Sequence, residues 1–207
     1  MKQLSHIEKR LSAYRHHSGA GEFCRGDHLL TPDWQSPPPP YRDAAVLIAL
    51  LPRGDDLSVV FTQRTSHLSA HAGQVSFPGG GVEPQDFDAV ATALREAEEE
   101  IGLPRAQVRV LGQLDDYITG TGFLVRPVVG FVADIPVWQP DDFEVAEIFD
   151  VPLSYLSVPG RIFQSSREFR GIQRHFYACD WERFHIWGAT AGMLKNFIDV
   201  IAEERQA

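Results

Sequence analysis

The six residues Arg95-Glu96-Ala97-Glu98-Glu99-Glu100 crowd four carboxylates and a guanidinium together. On a helix, where neighbours stand about 100° apart, Glu96, Glu99 and Glu100 fall at i, i+3 and i+4 within one arc, so their carboxylates can converge on a point while Glu98 faces elsewhere. Arg95 lies i,i+4 from Glu99 and can orient it. Gly102 and Pro104 form the expected helix stop, which leaves the glutamates in the last turn. There each costs about 0.3–1 kcal/mol against the helix dipole, and the i,i+4 repulsion of Glu96 and Glu100 adds about 0.2–0.5 kcal/mol. A divalent cation reverses the sign of both effects. The plain alternative is a solvated acidic face. Just upstream stands Phe77-Pro78-Gly79-Gly80-Gly81, a loop whose Gly79, Gly80 and Gly81 backbone can approach a metal or phosphate closely.

Those residues need elements to position them. Asp88 to Ile101 reads as a helix with Val90, Leu94, Ala97 and Ile101 as its packing seam. Ala44 to Leu51 is a buried strand, Pro52 to Asp56 a turn, and Leu57 to Gln63 a second strand, together a hairpin. Val108 to Leu114 and Val125 to Ala133 are further strands, with Pro127 marking an edge or bulge. Thr190 to Ala202 is helical. This is an α/β pattern. Before it, Leu4, Ile7, Leu11 and Tyr14 recur at helical spacing and Pro37 to Pro40 favours a stiff extension. Residues 1–40 are therefore expected to be an arm or helical cap with a Pro-rich linker, and residues 41–207 the α/β domain.

Composition narrows the partners. With 207 residues, 43% of them hydrophobic, the chain can bury a sizeable core. Its formal charge of −9 repels a phosphate backbone, which disfavours nucleic acid. No apolar run approaches the ~20 residues that span a bilayer, and the start lacks a signal-peptide core. Cys24 and Cys179 are too few for a disulfide framework or a zinc site, so a reducing cytoplasm is expected. Arg161, Arg167, Arg170 and Arg174 form a basic stretch that can complement the acidic centre on a polyphosphate.

Loop and helix together resemble the signature of the Nudix hydrolases. Arg95-Glu96-Ala97-Glu98-Glu99-Glu100-Ile101-Gly102-Leu103 fits its second half at every specified position. The first half departs from it: Phe87 stands where the family has a glutamate, and one inserted residue brings Asp86 into register, with Asp88 another stand-in. The stretch from Phe61 to Gly80, with Arg64, Gly73 and Phe77-Pro78-Gly79-Gly80, is similar to the element preceding the signature in the coenzyme A diphosphatase branch. Thr65 and Ser69 differ from that branch's usual Ser or Ala and basic residue.

The resemblance implies a Nudix-type α/β/α sandwich with a mixed sheet and a catalytic loop-helix motif. It implies Mg²⁺ or Mn²⁺ on Glu96, Glu99 and Glu100, with Arg95 supporting them and Glu96 combining metal and base roles. Glu144 is a further ligand or base candidate, and Arg64 with Gly79 to Gly81 would meet the substrate. The expected substrate is coenzyme A or an acyl-coenzyme A. ADP-ribose, NADH or another nucleoside diphosphate derivative is the alternative, as is a Nudix-like module that senses nucleotides without turnover. One arginine of the basic stretch would bind the outlying phosphate, and Tyr117, Phe123 or Trp187 would stack on adenine. A homodimer is expected by family analogy. His67 and His71 stand four apart like zinc ligands, but Gly73 argues against a helix there.

Overall fold

The computed structural model describes residues 2–19, 24–31, 34–67, 71–169 and 171–202. The chain runs through α1 (Lys2–Ala13), β1 (Arg25–Gly26), a single-turn 3₁₀ segment (Asp27–Leu30), β2 (Arg42–Arg53), β3 (Asp56–Arg64), β4 (Val75–Ser76), β5 (Gly79–Gly81) and α2 (Ala89–Ile101). It continues through β6 (Val108–Gln113), β7 (Tyr117–Ile118), β8 (Phe123–Val132), β9 (Val145–Pro152), α3 (Leu153–Leu156), β10 (Phe163–Phe169), β11 (Ile172–Trp181), β12 (Phe184–Trp187) and α4 (Ala189–Ile201). Among the described residues the strands form a nine-stranded mixed sheet and a three-stranded sheet, β10-β11-β12.

β2 organises the larger sheet. It pairs parallel with β8 along one side, and antiparallel with β3 and then β5 along the other. Its side chains alternate between two cores: Ile48 and Leu50 face the one shared with α1 and α4, while Ala45, Leu47, Ala49 and Leu51 face the one shared with α2. A strand covered on both faces must be apolar at every position, which explains the unbroken run in the sequence. The helices on opposite faces make this an α/β/α sandwich. Ile7 and Leu11 of α1 are buried in the same core as Leu194 and Phe197 of α4.

Two local expectations change. The row that α2 buries is Ala89, Ala93, Ala97 and Ile101, with Val90 and Leu94 only partly covered. Small alanines at i,i+4 spacing let the helix backbone approach the sheet, so the larger residues are turned to its flanks. Pro127 occupies neither an edge nor a bulge of β8. It faces Val46 across β2, and on the other side it falls in the gap where β8's partner changes from β6 (at Val128) to β7 (at Val125). Its missing N–H is not needed there, and its carbonyl accepts from Leu114 N at 3.0 Å.

Candidate functional site

Asp88 is the N-cap of α2, accepting from Ala91 N at 2.8 Å, and Gly102 ends the helix in the left-handed conformation at φ 67°. Between cap and sheet, β5 lays three glycines along Ala44–Val46 of β2. At Gly79 a Cβ would come within 2.4 Å of the Ala45 carbonyl oxygen, and at Gly80 within 2.6 Å of the Glu96 carboxylate. The glycines are thus required twice over: Gly79 so that two backbones can touch, Gly80 so that Glu96 has room.

Arg95 is the hub of the helix, 5% exposed. Its Nε and Nη2 donate to Asp86 Oδ1 at 3.1 Å and Oδ2 at 3.0 Å, and Nη2 also to the Gly81 carbonyl at 2.9 Å. Nη1 donates to Glu99 at 2.9 Å and lies 2.9 Å from Glu96 Oε1. Asp86 further accepts from Thr92 Oγ1 and Glu83 N. The acid that steadies Arg95 is therefore Asp86, while Asp88 serves as the cap. The two Arg95 hydrogen bonds hold the Asp86 carboxyl far below the usual carboxylate range.

Glu100 is 4% exposed. One oxygen accepts from Gly79 N at 3.2 Å, and the other lies 3.8 Å from Arg64 Nη1. Burial pushes its pKa up to about 8, with Glu96 and Glu144 adding to the rise and the Gly79 N–H and Arg64 opposing it. Burial also raises Glu96, against the pull of Arg95. Glu144, carried by the loop before β9, lies 3.5 Å from Arg64 Nη2. Thr65 clamps that loop, donating N–H to the Glu144 carbonyl at 2.9 Å and its hydroxyl to the Phe143 carbonyl at 2.7 Å. Ser69 lies outside the described residues.

The expected convergence of Glu96, Glu99 and Glu100 is not the arrangement seen. Among the described residues no three acidic, histidine or cysteine side chains gather closely enough to hold an ion as they stand. Arg95 draws Glu96 and Glu99 to its guanidinium while Gly79 holds Glu100, because each carboxylate takes the cationic or N–H partner within reach. The donor set nonetheless fits a hard divalent cation. Glu96 and Glu100 are oxygen ligands that burial drives from their charged forms, a cost that a cation offsets, and the empty Cβ position of Gly80 leaves the Glu96 carboxylate its space.

A cleft of about 810 Å³ opens beside β5, lined by Gly79–Gly81 and Arg64 and also by Phe123, Trp187, Arg167 and Arg174. That volume suits a nucleotide-sized ligand. Of the expected aromatics, Tyr117 is instead buried, its hydroxyl donating to Asp27 at 2.5 Å. Arg161 stacks on Tyr155 away from the cleft, and Arg170 lies outside the described residues. Sequence reasoning missed Asp27 and Trp34, which also line the cleft; no motif marks them, and only the fold brings them there. His67 packs on Phe143 while His71 lines the cleft at φ 58°, which is not a helical pair. Cys24 and Cys179 are free and buried, and no described helix is long and apolar enough to cross a membrane.

Comparison with known proteins adds three findings. The family model described as the NUDIX domain matches residues 40–171. The uncharacterized Nudix hydrolase NudL of Escherichia coli (strain K12) is 38% identical over 176 residues, 84% of this chain and 91% of the relative. Its namesake in Yersinia enterocolitica is 40% identical over 153 residues, 74% and 78% respectively. A solved MutT/nudix family protein from Enterococcus faecalis superposes with a TM-score of 0.51 at 15% identity, over 84% of this chain and 68% of that one, a likeness of fold.

Proposed function

Because the chain belongs to the Nudix hydrolase family, enzymes that cleave phosphorus anhydrides with divalent metal ions, we propose that it hydrolyses the diphosphate linkage of coenzyme A or an acyl-coenzyme A. The products would be 3′,5′-ADP and the corresponding 4′-phosphopantetheine. Arg64 carries the reading: it reaches toward both Glu100 (3.8 Å) and Glu144 (3.5 Å), lines the cleft beside Gly79–Gly81, and keeps a buried Nε without a hydrogen-bond partner. A fork of donors at that place suits a dianionic diphosphate.

Glu96, Glu99 and Glu100 would hold Mg²⁺ or Mn²⁺, which when bound neutralises charge building on the bridging and attacking oxygens. Glu96 takes the proton of the attacking water as its oxygen bonds to phosphorus and the P–O bond to the leaving phosphate breaks, and Glu144, across Arg64, serves as the further ligand or base. Arg95 touches Glu96 and Glu99 rather than the cleft, so it acts as a positioning residue. Arg64 and the Gly79–Gly81 backbone bind the diphosphate.

The test is a panel of coenzyme A, ADP-ribose and NADH with Mg²⁺ or Mn²⁺, run beside Glu96→Gln and Glu100→Gln. Coenzyme A is cleaved, and each variant loses about 10²–10⁴-fold in kcat. ADP-ribose cleaved with coenzyme A left intact overturns the substrate. Full activity in both variants overturns the carboxylate roles. Thermal protection by a nucleotide without turnover of any compound would favour a sensing module.

A further inference from the structure

Part of the cleft wall lies outside the family-matched residues, since Asp27 and Trp34 precede residue 40 and Arg174 follows residue 171. The fold ties these distant segments together: Thr31 Oγ1 accepts from His175 N at 2.9 Å, and the Tyr117 hydroxyl donates to Asp27 Oδ1 at 2.5 Å.

Arg174 has an unusual setting. Its guanidinium lies 4.3 Å from the ring centre of Trp34 and 4.4 Å from that of Phe169. Rings that engage the faces of a guanidinium leave its in-plane N–H edge for hydrogen bonding. That edge is not fully paired: Nε is buried with no hydrogen-bond partner. Arg64, Arg167, His71 and His175 share the wall, against Asp27 as the one acid described there. A chain of charge −9 thus presents a locally basic cleft. Asp27 has one oxygen committed to Tyr117 and is close enough to Arg174 to feel its charge. The wall therefore offers an in-plane cationic donor and a carboxylate acceptor side by side.

We propose that Arg174 and Asp27 read a phosphorylated ribose. Its phosphomonoester accepts from the edge of Arg174, its neighbouring hydroxyl donates to Asp27, and Trp34 holds Arg174 in plane. This rests on the diphosphatase reading and deepens it, because that monoester is what separates coenzyme A from dephospho-coenzyme A and from ADP-ribose. It also gives the segment before residue 40 a role in choosing the substrate.

The test compares the full-length protein with Arg174→Met, Arg174→Lys and Trp34→Leu. Calorimetry reads the binding of adenosine 3′,5′-bisphosphate against adenosine 5′-monophosphate, and kinetics reads kcat/KM for coenzyme A against dephospho-coenzyme A. The wild type should favour the phosphorylated member of each pair by about tenfold or more, the scale of a charge-assisted hydrogen bond. In Arg174→Met both ratios should fall to about one, through KM rather than kcat, with Arg174→Lys intermediate and Trp34→Leu a few-fold lower than wild type. Equal handling of the two members by the wild type, or an equal loss on both in Arg174→Met, overturns the proposal; the wild-type ratios decide it even where a variant does not fold. Preference for the bisphosphate with no diphosphate cleaved would defeat the diphosphatase reading and leave this site standing. Coenzyme A cleaved without preference would do the reverse.

Discussion

The site has two unlike walls. On the wall formed by residues 79–100, charges are answered within the chain: Arg95 alone meets Asp86, Glu96, Glu99 and the Gly81 carbonyl. On the wall gathered from Asp27, Trp34 and Arg174, the cation is engaged by rings and its buried Nε is left without a hydrogen-bond partner. The difference separates two kinds of task. A positioning group such as Arg95, whose donors are satisfied internally, is fixed in place before any ligand arrives. Groups left with open donors gain their partners only when something binds.

The strongest way to break this contrast is to remove the partner that closes the first wall. Asp86→Ala leaves the buried Arg95 guanidinium without its bidentate acceptor, which should destabilise the fold by about 3–5 kcal/mol in urea unfolding; a change below about 1 kcal/mol would show that the network is incidental. Next in size is Gly80→Ala. Its Cβ would sit 2.6 Å from the Glu96 carboxylate, and an ångström-scale displacement of that group should lower kcat by about 10²-fold, with the circular dichroism spectrum unchanged. On the other wall, Tyr117→Phe strips Asp27 of its donor and should cost about 1–3 kcal/mol in thermal unfolding, together with a higher KM for coenzyme A. A smaller effect should follow from pH. Because the folded-state pKa of Asp86 is depressed, its contribution is complete above the unfolded carboxylate value of about 3.9 and fades as pH falls below it toward the lowered folded value. The stability gap between wild type and Asp86→Asn should therefore narrow between pH 5 and pH 2.

The two walls also differ in how far they could be read from sequence. The first is local: helix spacing placed Glu96, Glu99 and Glu100 on one arc, Gly102 announced the helix end, and the glycines announced a close approach. Even there, the competition for carboxylates was not visible, because periodicity gives direction without saying which partner wins; Arg95 captured two of the three. The choice between Asp86 and Asp88 likewise needed the loop geometry. The central strands were legible because two-sided burial forces an unbroken apolar run. β10 and β11 were not. Phe163–Phe169 is exposed along most of its length, so it lacks the apolar signal that marks a buried strand. Asp27 and Trp34 carry no local pattern at all; their meaning depends on a partner strand more than a hundred residues away.

One further consequence lies in α1. Two of its side chains reach the final carbonyls of α4, His6 Nε2 lying 2.8 Å from Ile201 O and Arg10 Nε donating to Val200 O at 2.9 Å. During translation the first helix therefore leaves the ribosome long before α4, one of the elements it packs on, exists. At ordinary elongation rates of about 5–20 residues per second the wait is roughly 10 to 40 s, during which Ile7 and Leu11 have no α4 to cover them. Closure of that face of the core therefore waits for α4 to emerge.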